Sequence, residues 1–195
     1  MNRKLARMTL ILSFLVGCNT APAQPKINES LDAGNGLMVT VVEHKSLEEM
    51  NSFISNSESE VRRPKSGNTY YSVSTQMELA QGSRIMTLNL DNITLISEDN
   101  TRTPAFTLTY RRNLETDLSD RVFFSLGGDG KTLDFGLGFT DMDMTMQIQY
   151  QNGLGKLTQY HGPSPIIISF LFEIPQTSKV KAFQFNDLAE VPLEK

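Results

Sequence analysis

The chain has 195 residues, 18 Lys and Arg against 22 Asp and Glu, a formal net charge of −4, a single Cys and no Trp. An acidic balance argues against a nucleic-acid partner, because such binding relies on cations that neutralise phosphates, and one cysteine leaves no internal disulfide. Stability must therefore come from an apolar core, which is feasible because a chain of about 150 residues buries roughly 68–70% of its unfolded surface.

At the amino terminus, Arg3, Lys4 and Arg7 precede an apolar run from Met8 to Val16, and Leu15-Val16-Gly17-Cys18 closes it. A basic region, a short apolar stretch and a small residue before a cleavage point are the parts of a secretory signal. The run is too short for a spanning helix, which needs about 20 apolar residues. Leu-Val-Gly-Cys resembles the lipobox of bacterial lipoproteins. That resemblance implies that residues 1–17 are a signal peptide, that the Cys18 sulfur takes a diacylglyceryl group, and that the new amino terminus is acylated, so the protein takes up palmitate. It also implies a partner, the membrane itself, held through the N-terminal lipid. Asn19 stands where an Asp would imply retention in the inner membrane, so the implied address is the outer membrane, facing the periplasm. The alternative is Ala21-Pro22-Ala23, an ordinary small-x-small site whose cleavage would release a soluble secreted or periplasmic protein. Loss of residues 1–17 removes three basic residues and no acidic ones, leaving 15 against 22, a formal −7.

Residues 18–36 read as the acylated cysteine and a flexible tether, since small and polar residues, Pro and Gly dominate. Its r.m.s. reach is roughly 20–25 Å. The first strand is expected at Leu37 to Val42. Ser46-Leu47-Glu48-Glu49 then fits a capping box, and Leu47, Met50, Phe53 and Ile54 share one helical face, which predicts one short helix. Asn56 to Gly67 reads as a charged, Ser-rich loop. From Tyr70 the period becomes two: Tyr71, Val73, Met77 and Leu79 alternate with Ser72, Ser74, Gln76 and Glu78. Leu88 and Leu90 lie on one parity and Ile93 and Leu95 on the other, so a bulge or kink is expected near Asp91-Asn92. Further strands are expected over Phe106–Tyr110, Val122–Leu126, Leu133–Phe139, Met142–Tyr150, Ile166–Ile174 and Val180–Phe185. Gly127-Gly128-Asp129-Gly130 and Asn152-Gly153 are turn signals.

Many short strands and one helix predict an all-β sandwich over residues 37–195. Gly67-Asn68-Thr69-Tyr70-Tyr71-Ser72-Val73 resembles the strand entry of immunoglobulin-like domains in bacterial surface lipoproteins. Phe170-Leu171-Phe172-Glu173-Ile174-Pro175 and Lys181-Ala182-Phe183-Gln184-Phe185 resemble the closing strands of those domains. Glu78-Leu79-Ala80 departs from the pattern, which usually carries an Asn there. The resemblance implies an immunoglobulin-like fold and an envelope address, without a common activity.

No residue set reads as catalytic, and no metal or cofactor is expected. His44 and His161 lack ligand spacing. Ser125 to Thr132 ends like a phosphate loop but carries Ser125 where Gly is needed, and a strand follows in place of a helix. Asp129, Asp134, Asp141 and Asp143 do not match a calcium loop and read as a solvated face. The Met142-Met144-Met146 stripe reads as a core strand rather than a copper surface, and no nucleophile elbow is present. The expected role is a binding or adaptor module for an unidentified envelope protein. A structural component of an envelope assembly is the alternative, and a periplasmic hydrolase using His44 or His161 comes last. Arg62, Arg63 and Lys65 are the candidate binding residues, a basic cluster in an acidic domain that could steer an acidic partner or anionic headgroups.

Overall fold

Alternating apolar and polar residues over Tyr70–Leu79 and a nearly unbroken apolar run over Ile166–Ile174 require a sheet covered on at least one face. The computed structural model describes residues 24–34, 36–55, 58–79, 85–111, 122–124, 133–139, 144–150, 156–162 and 165–193. In chain order its strands begin with β1 (Ser30–Asp32), β2 (Leu37–Leu47), β3 (Met50–Ser55), β4 (Glu58–Arg62) and β5 (Asn68–Leu79). There follow β6 (Ile85–Asn89), a 3-10 turn (Leu90–Asn92), β7 (Ile93–Ser97), β8 (Arg102–Pro104), β9 (Thr107–Arg111) and β10 (Val122–Phe124). The remaining strands are β11 (Leu133–Phe139), β12 (Met144–Tyr150), β13 (Lys156–Gly162), β14 (Ile166–Pro175), β15 (Val180–Phe185) and β16 (Val191–Pro192). The fold is all-β.

The main sheet is antiparallel with the order β1-β2-β5-β14-β9. Its register sets Phe172 opposite Tyr71, Phe170 opposite Val73 and Ile166 opposite Met77. Because side chains alternate along a strand, Ile166, Ile168, Phe170, Phe172 and Ile174 share one face. They meet Ile93, Leu95, Phe183, Phe185, Val191 and Leu193, which belong to or flank a second antiparallel sheet ordered β16-β15-β7-β8. Phenylalanines lock the two layers together. The Phe170 ring lies 6.2 Å from Phe183 and 6.1 Å from Phe185, and Phe172 meets Phe183 edge-on at 6.3 Å. Each fully buried ring stabilises by about 1.5–3 kcal/mol relative to exposure. The chain crosses between the layers at one corner, where Ala105 N–H donates to the Ile93 carbonyl at 2.8 Å and Phe106 N–H donates to the Leu171 carbonyl at 3.0 Å.

The kink expected near Asp91-Asn92 is the 3-10 turn, whose Asn89 side chain accepts from Asp91 N–H at 2.9 Å. It carries the chain from a third sheet, ordered β13-β12-β11-β6, into β7. In that sheet Met146 stands opposite Leu137, and Leu137 opposite Met86, so the apolar parities of three strands coincide.

Three expectations change. The short helix after the first strand is absent among the described residues: β2 runs on to Leu47, and Met50–Ser55 is β3. Asn51, Ser52 and Ser55 are weak helix formers, and a helix this short is marginal alone. Burial of Met50 with Tyr70 and Leu171, flanked by Leu47 and Phe106, decides for the strand. The loop expected over Asn56–Gly67 contains β4, which pairs antiparallel with β3, Met50 opposite Arg62. What remains is a turn closed by Asn68 N–H to the Lys65 carbonyl at 2.9 Å, with Gly67 at φ +82°, a conformation natural to glycine. Within the stretch expected as tether, Ser30–Asp32 forms β1 on β2, and Ile27, Leu31 and Ala33 pack against the core.

Candidate functional site

The second face of the main sheet carries an unusual polar row. Up to Val41, β2 sends Leu37, Val39 and Val41 into the core. A bulge then follows: Val41 stands opposite Thr75, while Glu43 stands opposite Ser74. One extra residue reverses the alternation, so Glu43 joins the face of Ser74 and His44 the face of Val73. On the Glu43 side, Arg111 at the end of β9 is only 1% exposed and pairs through Nη2 with Glu43 Oε2, Glu43 being 30% exposed. The same nitrogen donates to Ser74 Oγ at 3.1 Å, and Ser74 Oγ and Ser169 Oγ share a hydrogen bond at 2.8 Å. Thr107, Thr109 and Ser72 are buried in the same sheet. A guanidinium this deep needs its carboxylate, since leaving a buried charge uncompensated is strongly destabilising.

His44 lies on the opposite face, so no serine–histidine arrangement forms with Ser74 or Ser169. Its Nδ1 is hydrogen-bonded to the Tyr71 hydroxyl at 2.6 Å, with the rings stacked at 6.0 Å. Burial raises the Tyr71 phenol above its ordinary pKa. His161 lies on β13 opposite Thr145 of β12, in a different sheet from His44.

The sequence-derived binding residues sit on the β3–β4 hairpin and its following turn. Arg62 pairs through Nε with Glu60, and Arg63 Nε lies 3.4 Å from Glu49 Oε2. The turn is tied to β14 from beneath: Lys65 N–H donates to Glu173 Oε1 at 2.8 Å and Asn68 Nδ2 donates to the same oxygen at 2.9 Å. The structure brings Arg62, Arg63 and Lys65 to one edge but interleaves them with carboxylates. Between Arg62 and Glu60 stands Val61, 57% exposed, a large hydrophobic left in solvent. Tyr70 packs with Met50, which stands opposite Arg62 on the hairpin face away from Val61. Its phenol is raised by burial and then by the negative charge of Glu173, with Arg62 opposing.

A shallow cleft of about 350 Å³ opens at one end of the sandwich between Ser97–Asp99 and Pro175–Lys179. Lys179 and Glu98 pair across it at 3.7 Å. Asp99 beside it is held below the usual carboxylate range by hydrogen bonds from Thr101. Among the described residues no group of three or more His, Cys, Asp or Glu could hold a metal, and no helix is long and apolar enough to cross a membrane. Cys18, the lipobox and Asn19, the Ala23 site, the loop Ser125–Thr132, and Asp129, Asp141, Met142 and Asp143 all lie outside the described residues.

Sequence reasoning missed the Glu43–Arg111–Ser74–Ser169 row. Its signals were present: two adjacent apolar residues, Val41-Val42, inside an alternating strand, and a lone Ser169 within the apolar run of β14.

No family model matches the chain, and no curated protein matches it. Among solved structures, the crystal structure of an uncharacterized beta-sandwich protein from Clostridium difficile 630 is similar at 12% identity. It covers 88% of this chain and 95% of that one with a TM-score of 0.38, a likeness too distant to carry an argument.

Proposed function

We propose that the protein is a lipid-anchored envelope binding module that meets its partner through the β3–β4 hairpin. The observation that carries this reading is the hairpin's outer strand, where Val61 is exposed between charged neighbours at the edge of a sheet. An uncovered strand edge presents a row of backbone N–H and C=O groups with which another chain can pair. The anchor half of the proposal rests on the likeness of Leu15-Val16-Gly17-Cys18 to a lipobox, and the outer-membrane address on Asn19. Two or more acyl chains would make such an anchor stable. The immunoglobulin-like topology belongs to the same reading, supported by two antiparallel sheets sharing one phenylalanine-rich core.

Two measurements test it. Metabolic palmitate labelling should mark the wild-type protein and not Cys18→Ala. An unlabelled wild type would remove the anchor and favour cleavage after Ala23. A photo-crosslinker placed at residue 61 in intact envelopes should capture a defined species, whereas one at Lys181, on the other sheet, should not. Equal capture from both positions would remove the hairpin as the contact surface.

A further inference from the structure

The outer side of β4 is an edge: the small sheet has the order β10-β3-β4, and among the described residues no strand lies beyond β4. We propose that this edge pairs antiparallel with β4 of a second copy of the chain about a two-fold axis through Val61. The inference deepens the reading of the hairpin as the contact surface by naming its occupant.

The sequence of the edge selects both partner and register. A two-fold axis normal to a sheet preserves its faces, so each residue must stand opposite one of the same parity. Only alternate registers are then available. Centred on Glu60, the pairing sets Arg62 against the copy's Glu58 but sets Glu60 against its own copy at the axis and leaves each Val61 opposite Ser59. Centred on Arg62, it sets two guanidinium groups against each other. Like charges directly opposite are destabilising. Centred on Val61, it sets Val61 against Val61, Glu60 against the copy's Arg62, and Arg62 against the copy's Glu60. Glu60 and Arg62 already pair within one strand, so the dimer would complete a four-charge ring in which every neighbour has the opposite sign. On the other face the two exposed valines would cover each other. Pro64, two residues beyond the strand, bounds the pairing, since proline cannot donate to a ladder. Five paired residues per copy make a contact well below the ~1,200 Å² of stable complexes. Association in solution is therefore weak, and it gains from confinement of both copies to one membrane.

The charge pattern supplies a test that does not depend on how well any one variant folds. The full chain in detergent is followed by sedimentation equilibrium over a concentration series. Wild type should self-associate. Glu60→Arg leaves only guanidinium groups in the ring, and Arg62→Glu leaves only carboxylates, so each alone should lose association by about tenfold or more. An equimolar mixture of the two should recover it, because the two guanidinium groups of one chain then face the two carboxylates of the other. The double variant Glu60→Arg/Arg62→Glu should associate like wild type, and added salt should weaken every paired form. A monomeric wild type at the highest concentration, or a mixture no more associated than its components, overturns the proposal. If residue 61 crosslinks in envelopes only to a different protein, self-pairing is overturned while the hairpin remains the contact surface. If residue 61 crosslinks only to a second copy of the chain and wild type dimerises by this charge rule, the self-pairing stands and the reading of a separate envelope partner fails.

Discussion

The phenylalanine sandwich and the β3–β4 hairpin use the same strand geometry under opposite conditions. In the sandwich, β14 is covered on both faces, so Phe170 and Phe172 meet the second sheet while Ser169 and Glu173 find fixed polar partners behind it. In the hairpin, Glu60, Arg62 and Arg63 keep their heads in solvent, and Val61 is 57% exposed. Identical residue types therefore carry different weight. Arg111, at 1% exposure, is part of the architecture, and Arg63, at 80%, is a surface charge. The difference follows from dielectric surroundings: a buried ion pair resists loss of one member, and an exposed pair contributes only about 0–1 kcal/mol.

The largest effect should come from the sandwich. Phe170→Ala removes a ring that contacts both Phe183 and Phe185 and is expected to cost about 3–5 kcal/mol, read as a lowered denaturant midpoint. A loss under about 1 kcal/mol, far below that range, would mean that the two sheets do not share a core. Next comes the buried pair. Arg111→Ala should destabilise by about 3 kcal/mol, discounted in part because Glu43 retains some solvent. Replacing both members, Arg111→Met with Glu43→Leu, should recover much of that loss, and a double variant as damaged as the sum of both singles would refute the coupling.

The hairpin supplies the contrast. Exchanging Arg62, Arg63 and Lys65 together for Ser should change stability by less than about 0.5 kcal/mol per site, because the ion pairs of Arg62 and Arg63 are exposed and Lys65 is tied to Glu173 through its backbone N–H. A cooperative loss comparable to Arg111→Ala would erase the distinction between the two regions. The smallest effect is a pH dependence at the junction between them. Tyr70 and Tyr71 hold their protons above the ordinary range, chiefly through burial. Folded and unfolded chains then bind equal protons below about pH 10, and that contribution is complete there. Above it the unfolded chain loses phenolic protons first, so stability falls as pH rises toward the folded values. In an absorbance titration of phenolate, Tyr71→Phe should remove late-titrating amplitude. Loss of amplitude near the ordinary phenol value of about 10 instead would show that Tyr71 is not desolvated.

Strands whose two faces meet different surroundings announce themselves in sequence. β5, β11, β14 and β15 fall at or within two residues of where their alternation or apolar runs place them, and the change of parity around Asp91-Asn92 marks the turn between β6 and β7. Leu47, Met50, Phe53 and Ile54 satisfy a helix and a hairpin about equally well, so their local pattern was ambiguous. Burial of Met50 against Tyr70 and Leu171 resolved it. The charged run over Glu58–Arg62 has no apolar period to betray a strand, and only pairing with β3 makes it one.

By itself, then, the sequence determined the all-β class, the central strands and the absence of a disulfide framework, because these depend on side-chain period and composition. The position of Glu43 depends on a single bulge, and Arg111 reaches it from a strand 68 residues away. Such contacts are properties of register between distant segments, not of any window of chain. Tertiary structure alone decided which charges became buried architecture and which stayed at an open edge, since burial is set by what packs against a residue after the chain has folded.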